Sequence, residues 1–245
     1  MMVRYLLAAL VAGLIAGVFM SVAQEIKVTP LILHAEEFEN VGGAHVEQSL
    51  APRGSSILAL ADFLNPVTSA HAHEGADGGS LFGLDRLGGT ILANLVVGAG
   101  YGLILLAAVL LTGIPITAKT GVLWGAAGWL TFQFLPALGL PPELPGFPAV
   151  DLADRQVWWI ATVLLSAAGL YLLVARSEIW AKVLGVVVLA LPHVYGAPQP
   201  EIISSDVPAL LAAEFAVAAL ATTAFFWVVL GLLMGAAMDR LEEGA

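Results

Sequence analysis

Four side chains able to bind a cation or carry a proton interrupt otherwise apolar stretches of this chain: Asn94, Gln133, His193 and Glu214. Ionisable and amide groups are costly in hydrocarbon and usually face a bundle interior or a wet cavity. Counted along their stretches, all four fall in the same half of a membrane, near one surface. Glu214 is the most demanding, since a carboxyl at that depth needs a proton or a cation partner. Plainer uses exist for the others. Asn94 and Gln133 suit hydrogen bonds between helices, and His193, just after Pro192, suits a helix end or a carbonyl partner.

Two further clusters lie outside the apolar stretches: His34-Ala35-Glu36-Glu37, and His71-Ala72-His73-Glu74 with Asp77 nearby. Imidazole nitrogen with carboxylate oxygen suits Co²⁺, Ni²⁺ or Zn²⁺. Two histidines at i and i+2 cannot share a helix face but can chelate from an extended segment. Such a set makes a weak, exchangeable capture site, or only a solvated acidic loop. Glu143 sits in a Pro-rich turn whose restricted backbone can hold its carboxylate over an entrance.

The elements that must position these residues are membrane helices. Of 245 residues, 59% are hydrophobic and 11% charged, against about 45–50% and about 25% in soluble domains. The expected fold is all-α, a single integral membrane domain over residues 1–245 with an external acidic, histidine-containing loop at 27–89. Six stretches can span: residues 5–23, 90–111, 122–140, 157–174, 183–195 with its flanks, and 210–234. Glu178 and Lys182 shorten the fifth. The first, with Arg4 and Ser21-Val22-Ala23, also resembles a cleavable signal peptide. The count is therefore six, or five if the first is removed or the fifth is not a full span. Within the long loop, residues 55–64 suit a short interfacial helix ending at Pro66, and residues 68–80 are small, polar and Gly-rich.

Lys and Arg placement sets orientation. With the N-terminus inside, the inner segments hold Arg4, Lys119, Arg176, Lys182 and Arg240, and the short outer loops hold only Arg155. Both termini are then cytoplasmic. Outside, thirteen acids from Glu36 to Asp206 face four bases, which accounts for nearly all of the net charge of −10. A surface of that sign gathers cations. The same balance, nine Lys and Arg against nineteen Asp and Glu, argues against nucleic acid.

With no cysteine, disulfides, iron–sulfur clusters and thiolate metal sites are excluded. Zinc-protease helix, nucleophile elbow and phosphate-binding loop signatures are absent too. Gly13 and Gly17 form a Gly-x-x-x-Gly that predicts close helix packing, as do Ala212, Ala216, Ala219 and Thr223. Trp158 and Trp159 read as interfacial anchors.

In order along the chain, several segments resemble the CbtA family of predicted cobalt transporter subunits. They include Val28-Thr29-Pro30-Leu31-Ile32-Leu33-His34-Ala35-Glu36, the His71–Glu74 stretch, and Gly121-Val122-Leu123-Trp124-Gly125-Ala126-Ala127-Gly128. The most specific are Gly139-Leu140-Pro141-Pro142-Glu143-Leu144-Pro145-Gly146 with Arg155-Gln156-Val157-Trp158-Trp159, then Leu191-Pro192-His193-Val194-Tyr195-Gly196-Ala197-Pro198. The resemblance implies a bacterial inner-membrane subunit of five or six spans that supplies cobalt for cobalamin synthesis. It also implies a small single-span partner with a histidine-rich tail (CbtB-like). Gln133 and Gln199 stand where histidine is common in the family, and the His71–Glu74 stretch is sparser.

Together these readings predict import of a divalent transition metal, cobalt foremost, with no permanently bound cofactor and no catalytic residue. Metal would pass from His34, Glu36, Glu37, His71 and His73 to His193 and Glu214, with Asn94, Gln133 and Glu143 as polar support. The inner half of the spans offers only hydroxyls such as Ser166, Thr222 and Thr223. Backbone carbonyls, the partner or a second copy of the chain must then complete the path. Two other readings stand beside import: a non-conducting metal-binding accessory subunit, and a membrane enzyme using His193 and Glu214 as an acid–base pair.

Overall fold

Backbone polar groups in lipid must be satisfied within their own segment, and the chain answers with helices. The computed structural model describes residues 2–42, 85–148, 150–201 and 204–244. Among them are seven helices and no strand. They are α1 (Met2–Lys27), α2 (Thr29–Gly42), α3 (Arg86–Thr112), α4, α5 (Leu152–Ala175), α6 (Ile179–Tyr195) and α7 (Ala209–Glu243). Helix α4 runs without a break through Gly121–Trp129, a π-helical turn at Leu130–Phe134, and Leu135–Ala137.

Helices α1, α3, α5 and α7 are each long and apolar enough to cross a membrane, and α6 is a shorter apolar helix. The limits follow local chemistry. Asp85 caps α3 by accepting from the Gly88 amide at 2.7 Å, and Asp151 caps α5 by accepting from Ala153 at 2.9 Å. Both satisfy amide donors that a helix start leaves without intrahelical partners.

The segment after Lys27 is not a loop. Val28 makes a turn, and α2 starts directly at Thr29-Pro30. Proline at the first positions of a helix loses no hydrogen bond and presets the backbone angle. His34, Glu36 and Glu37 therefore stand on a helix. The expected interfacial helix at residues 55–64, the small-residue stretch 68–80 and the His71/His73 cluster lie outside the described residues.

Packing is closest where side chains are smallest. A Cβ added at Gly13 would meet the Gly98 carbonyl oxygen at 2.2 Å, and one at Gly17 the Asn94 carbonyl at 2.4 Å. The expected Gly-x-x-x-Gly seam thus joins α1 to α3. A second seam joins α4 to α7, where a Cβ on Gly125 would meet the Trp227 carbonyl at 2.2 Å. Ala9, Ala12, Ala16, Leu105, Leu106, Trp227, Leu230 and Met234 form the core between these four helices. Helices α5 and α6 pair with each other and touch the rest mainly through α5 against the π-turn and end of α4.

At the end where α1 finishes, α2 folds over the bundle. Val28 and Ala35 pack with Leu144, Val207, Leu211 and Phe215. The same end carries the turn at 138–151 and the segment 196–208, joined by Ser205 Oγ donating to the Gly146 carbonyl at 3.1 Å. Trp158 departs from the sequence expectation. It is buried, with its ring occupying the space beside Gly139, so it is a packing residue and not an interfacial anchor.

Candidate functional site

The π-turn of α4 borders a partly polar recess. Pro136 has no N–H to give the Phe132 carbonyl, and just before it Leu135 N–H reaches back five residues to Leu130. Such single widened turns recur at functional sites. Trp129, on the same helix, donates from Nε1 to the Leu220 carbonyl at 3.1 Å and to Thr223 Oγ1 at 3.2 Å. The indole thereby pins α4 against α7.

Between α4, the turn that follows it, the start of α5 and the middle of α7 lies a cleft of about 820 Å³. Its apolar lining includes Phe132, Leu140, Trp159, Ile160 and Leu220; its polar lining is Gln133, Glu143, Arg155, Gln156 and Thr223. Arg155 Nη2 meets Glu143 Oε2 at 3.2 Å, with side chains 31% and 28% exposed, so the pair sits at the rim and not in the dry interior. Gln133 also lies beside the side chain of Tyr101 on α3, which links the cleft to the central core.

One carboxylate, two amides and a hydroxyl form an oxygen-donor set that can hold a hydrated cation loosely. One carboxylate is too little charge to strip and cage a divalent ion. Among the described residues, no group of three or more His, Asp or Glu could hold a metal ion.

Of the residues expected to act together, the structure brings Gln133 and Glu143 into this cleft; Asn94, His193 and Glu214 are not among its lining. Asn94 donates from Nδ2 to Ser21 Oγ at 3.1 Å and Gln24 Oε1 at 2.7 Å, the interhelical use open to an amide. His193 lies in the last turn of α6 with its ring edge toward Trp158 at 6.2 Å, and its buried Nε2 has no hydrogen-bond partner. Glu214 is exposed on α7, about a turn and a half from its start.

On α2, His34 and Glu37 are both exposed and three residues apart, hence neighbours on one face. His34 rests near Phe38 at 5.6 Å. Glu36 points elsewhere and pairs with Arg86. Sequence reasoning did not select Arg155, Gln156 or Tyr101 as site residues. Arg155 carried a signal nonetheless, as the lone basic residue in the short outer loops.

The family model for the probable cobalt transporter subunit, CbtA, matches residues 2–239. This chain belongs to the CbtA family. The match covers α1 to α6 whole and α7 as far as Asp239, so the cleft and the helix seams belong to the CbtA-family region itself. The family is that of a probable cobalt transporter subunit, which is not an enzyme family. No curated protein and no solved structure matches the CbtA-family chain.

Proposed function

We propose that the chain is an inner-membrane subunit that takes up a divalent transition metal, cobalt foremost, with six spans and both termini in the cytoplasm. Helices α4 and α6 are the two shorter spans. The acidic outer end concentrates cations. His34 and Glu37 on α2, with Glu36 beside them and His71 and His73 in the following segment, exchange them. The ion then enters at Glu143, with Gln133 as a neutral donor below, while His193 and Glu214 serve the outer half of the bundle and Asn94 gives polar support there by joining α3 to α1. A small single-span, histidine-rich partner or a second copy of the chain supplies the remaining ligands.

The observation that carries this reading is a carboxylate held over an amide-lined cleft in a cobalt-transporter-subunit fold. The single carboxylate of that cleft also favours a second reading, a non-conducting accessory subunit that passes metal to a partner.

Radiolabelled cobalt uptake into proteoliposomes, with and without the single-span partner, tests both. Uptake that falls severalfold in Glu143→Gln, His193→Ala and Glu214→Gln at unchanged protein levels supports conduction through these groups. Cobalt binding without uptake by this chain alone supports the accessory role. Normal uptake in all three variants removes the cleft and the outer-half residues from the path.

A further inference from the structure

Within the cleft, the carboxylate that would receive a metal ion is already occupied by a cation of the protein's own, since Arg155 lies 3.2 Å from Glu143. The pair is partly exposed on both sides, and ion pairs of this kind contribute little net stability. A divalent cation carries twice the charge of a guanidinium and competes for the same oxygen. The displaced guanidinium has somewhere to go. Asp151, the cap residue of α5, lies one helical turn before Arg155, whose backbone N–H donates to the Asp151 carbonyl at 3.1 Å. Its Oδ1 takes both capping hydrogen bonds, from Ala153 and Asp154, and its Oδ2 is outside that cap. Glu143 is in the turn after α4, whereas Asp151 is the cap residue at the start of α5, next to the cleft-lining Leu152, so the two acceptors approach Arg155 from different segments.

We propose that Arg155 is a resident competitor for the metal: it holds Glu143 in the empty cleft, yields it to an incoming divalent cation by moving to Asp151, and returns to drive the ion off. This deepens the uptake reading above and rests on it. The function of such a competitor is exchange. It keeps capture weak, so that a collected ion leaves as readily as it arrived. The two amide oxygens and the Thr223 hydroxyl bordering the cleft add donors without adding charge, which keeps the competition between Arg155 and the ion close.

The test measures Co²⁺ binding to the purified full chain and Co²⁺ uptake by the same variants in proteoliposomes. Arg155→Gln should bind Co²⁺ about two- to fivefold more tightly, the range expected for removing a partly exposed ion pair, and should show a lower maximal uptake rate. Arg155→Lys should fall between wild type and Arg155→Gln. The double variant Glu143→Gln/Arg155→Gln should lose the tightening. Asp151→Asn, which keeps the helix cap, should weaken Co²⁺ binding. Arg176→Gln, an exposed basic residue at the opposite end paired with Glu178, controls for net charge and should leave binding unchanged. The proposal is overturned if Arg155→Gln binds no tighter than wild type, or if its tightening survives the loss of Glu143. If binding tightens as stated but no variant or wild type transports, the uptake reading fails while the competition stands. If neither wild type nor any variant binds Co²⁺, both fall together.

Discussion

Asn94 illustrates what an amide inside an apolar helix is worth. Its Nδ2 spans two acceptors on α1, Ser21 and Gln24, beside the glycine seam where the two backbones touch. Interhelical hydrogen bonds of this kind in lipid contribute about 0.6–2 kcal/mol. Asn94→Ala should therefore lower resistance to thermal unfolding by an amount of that order, followed by circular dichroism in detergent, while cobalt binding stays at the wild-type level. Equal losses of binding and stability would place Asn94 in the ion path instead. The position of Asn94, Gln133, His193 and Glu214 along their helices can be counted from the sequence at about 1.5 Å per residue. Their azimuth cannot. Neighbouring residues differ by about 100° around a helix, and only the packed partners decide which face looks inward. Gln133 reaches the cleft, Asn94 turns to α1 and Glu214 stays exposed for that reason.

At the scale of elements, apolar length predicts helices well and their joints poorly. The stretch read as 90–111 is the helix Arg86–Thr112, lengthened at its start by the Asp85 cap. The stretch 210–234 is the core of a 35-residue helix whose ends extend past the apolar run. Missed was α2, because Thr29-Pro30 two residues after Lys27 reads as a break when it is also how a new helix begins. The π-turn of α4 was hidden too, since Leu130–Phe134 has the composition of any span. The seams allow a sharp comparison. Gly13→Ala would drive a methyl into the Gly98 carbonyl, whereas a methyl at Gly100 meets nothing within 4 Å. Overpacking of this kind costs about 1–3 kcal/mol, and alanine in place of glycine at an open helix position stabilises by about 0.5–1 kcal/mol. Gly13→Ala should thus lower the melting temperature and Gly100→Ala should hold or raise it. The reverse order would mean that α1 and α3 are not held by that seam.

Across the whole molecule, the composition marked a membrane protein and the family match bears on every helix. Orientation is open to a direct measurement because the chain has no cysteine. Leu111 and Tyr195, at the last turns of α3 and α6, are 87% and 88% exposed and lie at opposite ends of the bundle. With both termini cytoplasmic, Tyr195→Cys should react with a membrane-impermeant thiol reagent in intact cells and Leu111→Cys only after lysis. The opposite pattern would invert the topology and place the cleft mouth on the cytoplasmic side. What composition could not reveal is the uneven stiffness of the bundle. Four helices interlock through backbone-to-backbone seams, but α5 and α6 lean on that block chiefly at the π-turn and the end of α4, beside the cleft. The hairpin is thus a leaf hung on a rigid frame. A swing of that leaf would change the aperture before the frame, so the width of the cleft answers to whatever presses on the hairpin's outer side.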